Sequence, residues 1–386
     1  MDADHNRTLI RTIMLDFAAD TGLMPGGPEP RRYLWTDAFA VVNFLELYRL
    51  TGEEEYRSLA LRLVDQVHQV LGRHRPGDRR VGWLSGLGEE EGRRHPTAGG
   101  LRIGKPLAER SPNEPFDQQL EWERDGQYYH YLVKWLLALT LVARDTADPR
   151  YSDWARELAQ TMHARFVRPA YPGGPRIICW KMSVDLARPL VASMGQHDAL
   201  DGLLVYQALQ TETVGQPDLT REIAELTGFC RHRQWGTDDP LGLGGLLHDA
   251  LQAGQLCKGP GRGEGLDELL ATLLADALPG LAAYARGPDL RLPANYRLAF
   301  RELGLSIGLH AALRLGELIS QEPHRFRDAK QQQSLLQPIL DYRPLGDTIE
   351  RFWLDPAHQT AESWLAHRDI NQVMLATSLV PDIFLG

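Results

Sequence analysis

RLTGEEEYRSLALRL at residues 49–63 and RDTADPRYSDWAREL at residues 144–158 are two versions of one turn, 95 positions apart. Arg49, Thr51, Glu53, Tyr56, Leu59, Ala60 and Leu63 have the same spacing as Arg144, Thr146, Asp148, Tyr151, Trp154, Ala155 and Leu158. In each copy a Thr-x-acid break separates an apolar helical run from a more polar one. The repeating unit is therefore a helical hairpin, and a stack of hairpins is the expected fold.

Outward from these turns, apolar residues recur at three- and four-residue spacing and show little period-two alternation, which predicts an all-α chain. The helices are expected at residues 5–19, 35–51, 53–72, 125–144, 150–167, 196–211, 218–233, 243–256, 265–285, 295–318, 329–342 and 362–380, twelve helices or six hairpins. Short links follow Leu50, Arg144 and Thr211, whereas mostly long ones end at Trp35, Asp125, Gln196, Asn295 and Glu362. With helices running alternately up and down, the long loops share one face, at the N-termini of the even-numbered helices. Those helices are also the more apolar, as in Tyr131 to Ala143 and Leu303 to Leu315, and suit an inner layer covered by an outer one. Loops presented by a rigid scaffold carry function, so this face is where a site is expected.

Residues 73–124 interrupt the pattern with about fifty residues dense in Gly, Pro and charge, well beyond ordinary connections. From Arg73 to Arg110 they hold nine Arg or Lys against five Asp or Glu, a cationic stretch on an acidic protein. Trp83, Ile103, Phe116 and Trp122 argue for an ordered lid over the inner-helix mouth, since disordered segments are poor in aromatics.

The 386 residues are expected to form a single domain, 1–386, with a net charge of −9. That charge disfavours a duplex or an anionic membrane as a partner. Cys179, Cys230 and Cys257 form no CxxC pair and read as reduced thiols. The opening MDADHNRTLI has acids where a signal peptide is basic, and the apolar run near Trp135 to Ala143 is too short to span a bilayer, so a cytoplasmic protein is expected. GPGRGEG at 259–265 follows no strand and precedes no GKS or GKT, which makes it a hairpin link rather than a phosphate loop. No HExxH occurs and the histidines lack ligand spacing, so neither a metal nor a cofactor is expected.

The hairpin pattern, the TGxxxY turn at Thr51 to Tyr56 and the long loops on one face resemble the six-hairpin glycosidase-like superfamily, the (α/α)6 toroids. The resemblance covers nearly the whole chain. It implies a substrate funnel at the N-termini of the inner helices, and activities that range over inverting glycoside hydrolases, unsaturated uronyl hydrolases, N-acylglucosamine 2-epimerase-type enzymes and some polysaccharide lyases.

Inverting hydrolysis needs a carboxylic acid for the leaving oxygen and a carboxylate for water, roughly 6.5–9.5 Å apart. Asp37, Glu123, Asp125 and Asp198 are the candidates, with Asp198 expected as base or substrate ligand and Glu123 or Asp125 as acid. Each also suits a helix cap, because carboxylates are favoured in first turns. Trp35, Trp122, Tyr128, Tyr129, His130, His197 and Asp201 are expected to line a sugar subsite, where rings stack on C–H faces and polar groups read hydroxyls. Arg297, Trp364, His367, Arg368 and Asp369 form a second cluster at late inner helices. With Arg94, Arg102 and Lys105, the cations there could hold a carboxylate or sulfate, or pair with nearby acids.

Histidines carry an alternative, because sugar epimerases resemble this pattern in using late inner-helix histidines, here His248 and His367. The family's His-x-x-Glu on that helix is absent, since Leu251 stands at the Glu position. Asn295 with Tyr296 keeps a lyase open. The expectation is a carbohydrate-active protein taking a small-molecule or oligosaccharide substrate. An inverting glycoside hydrolase acting on an acidic or decorated sugar comes first, a sugar epimerase or isomerase second, and a non-catalytic ligand- or protein-binding toroid third.

Overall fold

The computed structural model describes residues 3–212, 218–257 and 265–386. The fold is all-α. Its longer helices are α1 Ala3–Asp20, α2 Leu34–Thr51, α3 Glu54–Leu71, α4 Tyr129–Thr146, α5 Pro149–Phe166, α6 Asp198–Glu212, α7 Thr220–Cys230, α8 Pro240–Leu256, α9 Leu266–Arg286, α10 Ala299–Gln321, α11 Ala329–Leu340, α12 Arg343–Leu354 and α13 Arg368–Leu379. Every expected helix is present. The one at 362–380 is split into Glu362–Leu365 and α13, and α12 is an addition that the sequence pattern did not suggest. Most of the GPGRGEG link lies outside the described residues.

The two matching turns are built alike. Thr51 Oγ1 donates to Leu47 O at 2.7 Å and accepts from Glu53 N at 3.1 Å. Thr146 Oγ1 donates to Val142 O at 2.7 Å and accepts from Asp148 N at 3.2 Å. One hydroxyl thus closes the ending helix and opens the next, which explains why Thr precedes an acid by two residues. A left-handed residue follows the threonine in each copy, Gly52 at φ 71° and Ala147 at φ 54°. Arg57 bridges the two turns through Asp145 at 3.0 Å.

The chain forms two compact units, one of residues Leu15–Arg231 and one of His232–Gly386 with the segment up to Met14. In the first, α2 is buried on every side from Leu34 to Leu47, while α3 buries only Tyr56, Leu59, Ala60, Leu63, Val64, Val67, His68 and Leu71. That contrast is the difference between an inner and an outer helix. The pairs α2–α3, α4–α5 and α6–α7 pack as hairpins, and α2, α4 and α6 pack side by side. In the second unit α8–α9 and α10–α11 are hairpins, with α10 against α8, α12 and α13. A Cβ on Gly244 of α8 would strike the backbone of Gly304 on α10, so the glycine sets how closely these helices approach.

Among the described residues five short strands supplement the helices: β1 Gln127–Tyr128, β2 Val167–Pro169, β3 Arg176–Ile178, β4 Lys181–Met182 and β5 Pro189–Val191. β4 pairs antiparallel with β1 and β5, and β2 with β3. They order the long connection between α5 and α6.

The 73–124 insertion is ordered and packs within the first unit, with Trp83, Leu101 and Ile103 buried. Its middle threads between helix starts, where Leu34 N donates to Ile103 O at 3.0 Å and Ile103 N to Gly126 O at 2.8 Å. Gly104 adopts φ +93°, and a side chain there would collide with Arg32 O. The insertion is thereby held to the N-terminal ends of α2 and α4.

Candidate functional site

In the first unit the starts of α2, α4 and α6 lie side by side, and aromatic rings collect there. Tyr33 precedes α2 and its ring meets Tyr131 of α4 edge-on at 5.6 Å, with the hydroxyls 2.7 Å apart. Trp35 lies 5.4 Å from Tyr131 and 6.0 Å from His130. Tyr128 contacts Trp122, His130, Tyr131 and Trp180, and His130 lies parallel to Trp180 at 5.9 Å. Trp122 remains 46% exposed although its edge meets Trp180 at 5.0 Å. The result is an aromatic wall with an open rim.

Two polar atoms at this wall have no hydrogen-bond partner among the described residues. Trp35 is 8% exposed, and its indole Nε1 is buried with no hydrogen-bond partner. His130 Nδ1 is likewise buried and unpartnered, and burial lowers the imidazole pKa to about 4, so the ring is neutral at pH 7. Burial also raises the Tyr33 hydroxyl to about 12, keeping it a donor. Buried polar atoms without partners cost stability, and a ligand hydroxyl or oxygen is what would satisfy them. Glu123 is exposed at this wall, and its charge is felt by Tyr33, Tyr128 and Lys105.

The other acids at these helix starts are engaged. Asp125 is fully buried, pairs with Arg102 at 2.5 Å, and accepts from Gly104 N at 3.1 Å and Gly126 N at 3.0 Å. Its carboxylate pins the insertion to α4, which leaves it no free oxygen for acid catalysis. Asp37 is buried, pairs with Arg32 at 3.3 Å and accepts from Tyr33 N at 2.8 Å, as a residue closing the first turn of α2 does. Asp198 is buried and accepts from Gly195 N at 3.0 Å, so it shapes the loop into α6. Asp201, one turn on, lies 3.4 Å from Lys134 of α4. His197 is half-buried, and its carbonyl accepts Leu200 N and Asp201 N in the turn that opens α6. Tyr129 points into the core against Phe166 and lies outside the aromatic wall.

The expected cationic lid is mostly neutralised. Arg94 pairs with Glu91 and Glu90 on the surface, and Arg102 is buried on Asp125, Val70 O and Arg73 O. Lys105 alone of the three faces the rings, with Nζ 5.4 Å from the centre of Tyr33. Lys181, absent from the sequence reading, is wholly buried behind Tyr128, where it pairs with Glu121 at 2.9 Å and donates to Glu121 O and Arg124 O.

The late cluster lies in the second unit. Arg297 is buried, bonded to both oxygens of Glu302, and 3.6 Å from the Phe352 ring, so it braces α10 against α12 and has no donor edge left for a substrate anion. Trp364 is buried and stacked on Trp353 at 5.6 Å. His367 is exposed, with its ring edge-on to Phe300 at 5.4 Å, and Arg368 beside it is exposed while Asp369 is half-buried. His248 is buried and stacked on Phe384 at 4.7 Å.

Tyr33, Tyr131 and Trp180 belong to the aromatic wall without having been singled out from the sequence. A ring spacing of Tyr128, Tyr129, Tyr131 offers no signal for which one turns inward. Trp180 is brought in by strand pairing, with Tyr129 N donating to Trp180 O at 3.2 Å.

No protein-family model matches the chain, and no curated protein does. Among solved structures it is similar to the cellobiose 2-epimerase from Spirochaeta thermophila DSM 6192, at 12% identity and a TM-score of 0.43 over 89% of this chain and 98% of that one. It is also similar to an unsaturated glucuronyl hydrolase specific for heparin, at 14% identity and a TM-score of 0.32 over 71% of this chain and 84% of that one. Both are six-hairpin proteins.

Proposed function

We propose that the chain binds a sugar at the aromatic wall of α2, α4 and α6 and turns it over by acid–base catalysis, with hydrolysis of a glycosidic bond as the leading reaction. The observation that carries this reading is the coincidence of a half-exposed Trp122 with the unpartnered Trp35 Nε1 and His130 Nδ1 at one wall. A sugar offers C–H faces to the first and hydroxyl groups to the others. Glu123 serves as the acid that protonates the leaving oxygen, since it is exposed beside the rings. We place the carboxylate that activates water on α6, at Asp201, which faces the Lys134 ammonium at 3.4 Å, since Asp198 is committed to Gly195 N.

Epimerisation is the second reading, favoured by His130. A neutral imidazole with an unpartnered nitrogen among the rings can accept a proton from a sugar carbon next to a carbonyl. His248 is shut under Phe384 and suits that role less than the exposed His367.

Incubating the protein with a panel of disaccharides and uronic-acid oligosaccharides in heavy water, read by proton NMR, separates the reactions. New reducing ends in one anomeric form support inverting hydrolysis. Deuterium at the carbon beside the carbonyl, with no bond cleavage, supports epimerisation. Binding with neither change leaves a non-catalytic sugar-binding protein, and binding abolished by Trp122→Ala ties any of these to the aromatic wall.

A further inference from the structure

The loop that carries Lys105 is the most tightly positioned part of the insertion. Ile103 is hydrogen-bonded on both sides, to Leu34 N and to Gly126 O, and Gly104 N donates to Asp125 Oδ1 at 3.1 Å. The next residue therefore has its backbone direction fixed. Its ammonium lies 5.4 Å from the centre of the Tyr33 ring, whose hydroxyl is held by Tyr131 at 2.7 Å.

Among the described residues Lys105 makes no ion pair or hydrogen bond, although it is half-buried. The two acids that act on it from a distance are Glu123 and Asp125. Asp125 is already satisfied by Arg102, Gly104 N and Gly126 N. The nearby cations differ, since Lys181 is closed by Glu121 and Lys134 faces Asp201. A partly desolvated ammonium without a counter-ion is costly, and an anion arriving beside it recovers that cost. Trp35 Nε1, whose ring shares the Tyr131 contact, is a second donor without an acceptor.

We propose that Lys105 is the specificity-determining residue of the sugar site and selects a sugar bearing an anionic substituent, with the carboxylate, sulfate or phosphate oxygens accepting from its ammonium. The inference rests on the reading of the aromatic wall as a sugar site. It predicts the class of substrate as an acidic saccharide and assigns that preference to one side chain rather than to the general charge of the insertion.

Isothermal titration calorimetry tests it with glucuronate, glucose 6-phosphate, glucose 6-sulfate and glucose on the full chain and on Lys105→Met and Lys105→Arg. The expected result is that at least one anionic sugar binds the unsubstituted protein about tenfold or more tighter than glucose. Lys105→Met should remove that preference while keeping the affinity for glucose, and Lys105→Arg should retain part of it. Equal affinity for charged and neutral sugars, or a preference that survives in Lys105→Met, overturns the role of Lys105 and leaves the sugar site standing. No binding of any sugar overturns both. As a measurement independent of any variant, the preference of the unsubstituted protein should shrink as salt rises, and a salt-independent preference counts against the proposal.

Discussion

The hydroxyls of Tyr33 and Tyr131 meet at 2.7 Å, joining the residue before α2 to the first turn of α4. Both rings also form the floor of the aromatic wall, so one hydrogen bond fixes the spacing of two helix starts and the shape of the site. Tyr131→Phe should lower stability by about 0.5–1.5 kcal/mol, the usual net value of such a bond. It should weaken sugar binding by more than that loss implies, because the Tyr33 ring under Lys105 is freed. Denaturant melts beside calorimetric binding curves check this, and unchanged affinity would show that the pair serves the fold alone.

Glu123 and Asp125 are two positions apart and should respond oppositely to amidation. Glu123→Gln should leave the melting temperature nearly unchanged and reduce turnover about 10²- to 10⁴-fold, the ordinary share of a general acid. Asp125→Asn leaves Arg102 buried without its counter-charge, and breaking a buried pair costs about 3–5 kcal/mol. A stable, inactive Asp125→Asn protein would reverse the assignment.

Gly104→Ala should destabilise the first unit and blunt sugar binding together. The backbone is at φ +93° and the added methyl faces Arg32 O, so strain and a clash coincide where Lys105 is presented. Gly52→Ala provides a contrast, since φ there is +71° with open space around it, and it should cost only about 1 kcal/mol. Thermal melts of the two variants give the comparison.

Acid should unfold the protein partly through His68. Burial lowers its pKa to about 3, and Trp135 Nε1 donates to its Nε2 at 3.2 Å, which requires that nitrogen to be unprotonated. The unfolded chain takes up the proton near the ordinary histidine value of 6.5. Between these values the unfolded state binds more protons, so stability is fully present above about pH 6.5 and declines as the pH falls toward 3. His130, lowered to about 4, acts in the same direction over pH 6.5 to 4. His68→Gln should flatten the fall in stability between pH 6.5 and 4, by at most about 1.4 kcal/mol per pH unit. An unchanged slope in urea melts across that range would exclude His68 as a contributor.

The hairpin turns were fully legible in the sequence because their chemistry is local. Thr51 and Thr146 each bond a carbonyl four residues back and an amide two residues on, so spacing alone identifies them. The distinction between inner and outer helices was also legible, since burial on all sides demands apolar residues on all sides, as in α2. α12 was missed because only two of its four buried positions, Ile349 and Trp353, are large and apolar, the others being Gly346 and Glu350, which leaves a thin apolar period to read.

The candidate site was legible only as a neighbourhood. Sequence determined that acids, rings and cations gather at the starts of α2, α4 and α6, because caps, long loops and amphipathic periods are properties of adjacent residues. Tertiary structure decided which of them remain available. Asp125 and Glu123 are indistinguishable as letters in EWERD, yet one is enclosed by Arg102 and two backbone amides while the other stays exposed beside the rings. Arg102 and Lys105 likewise belong to one cationic stretch, and only the packing of the insertion against α3 and α4 commits the first to Asp125 and leaves the second over Tyr33. The physical reason is that an ionisable group is defined by its partner, and partners such as Trp180 and Tyr128 are brought together by strand pairing and helix packing across tens of residues.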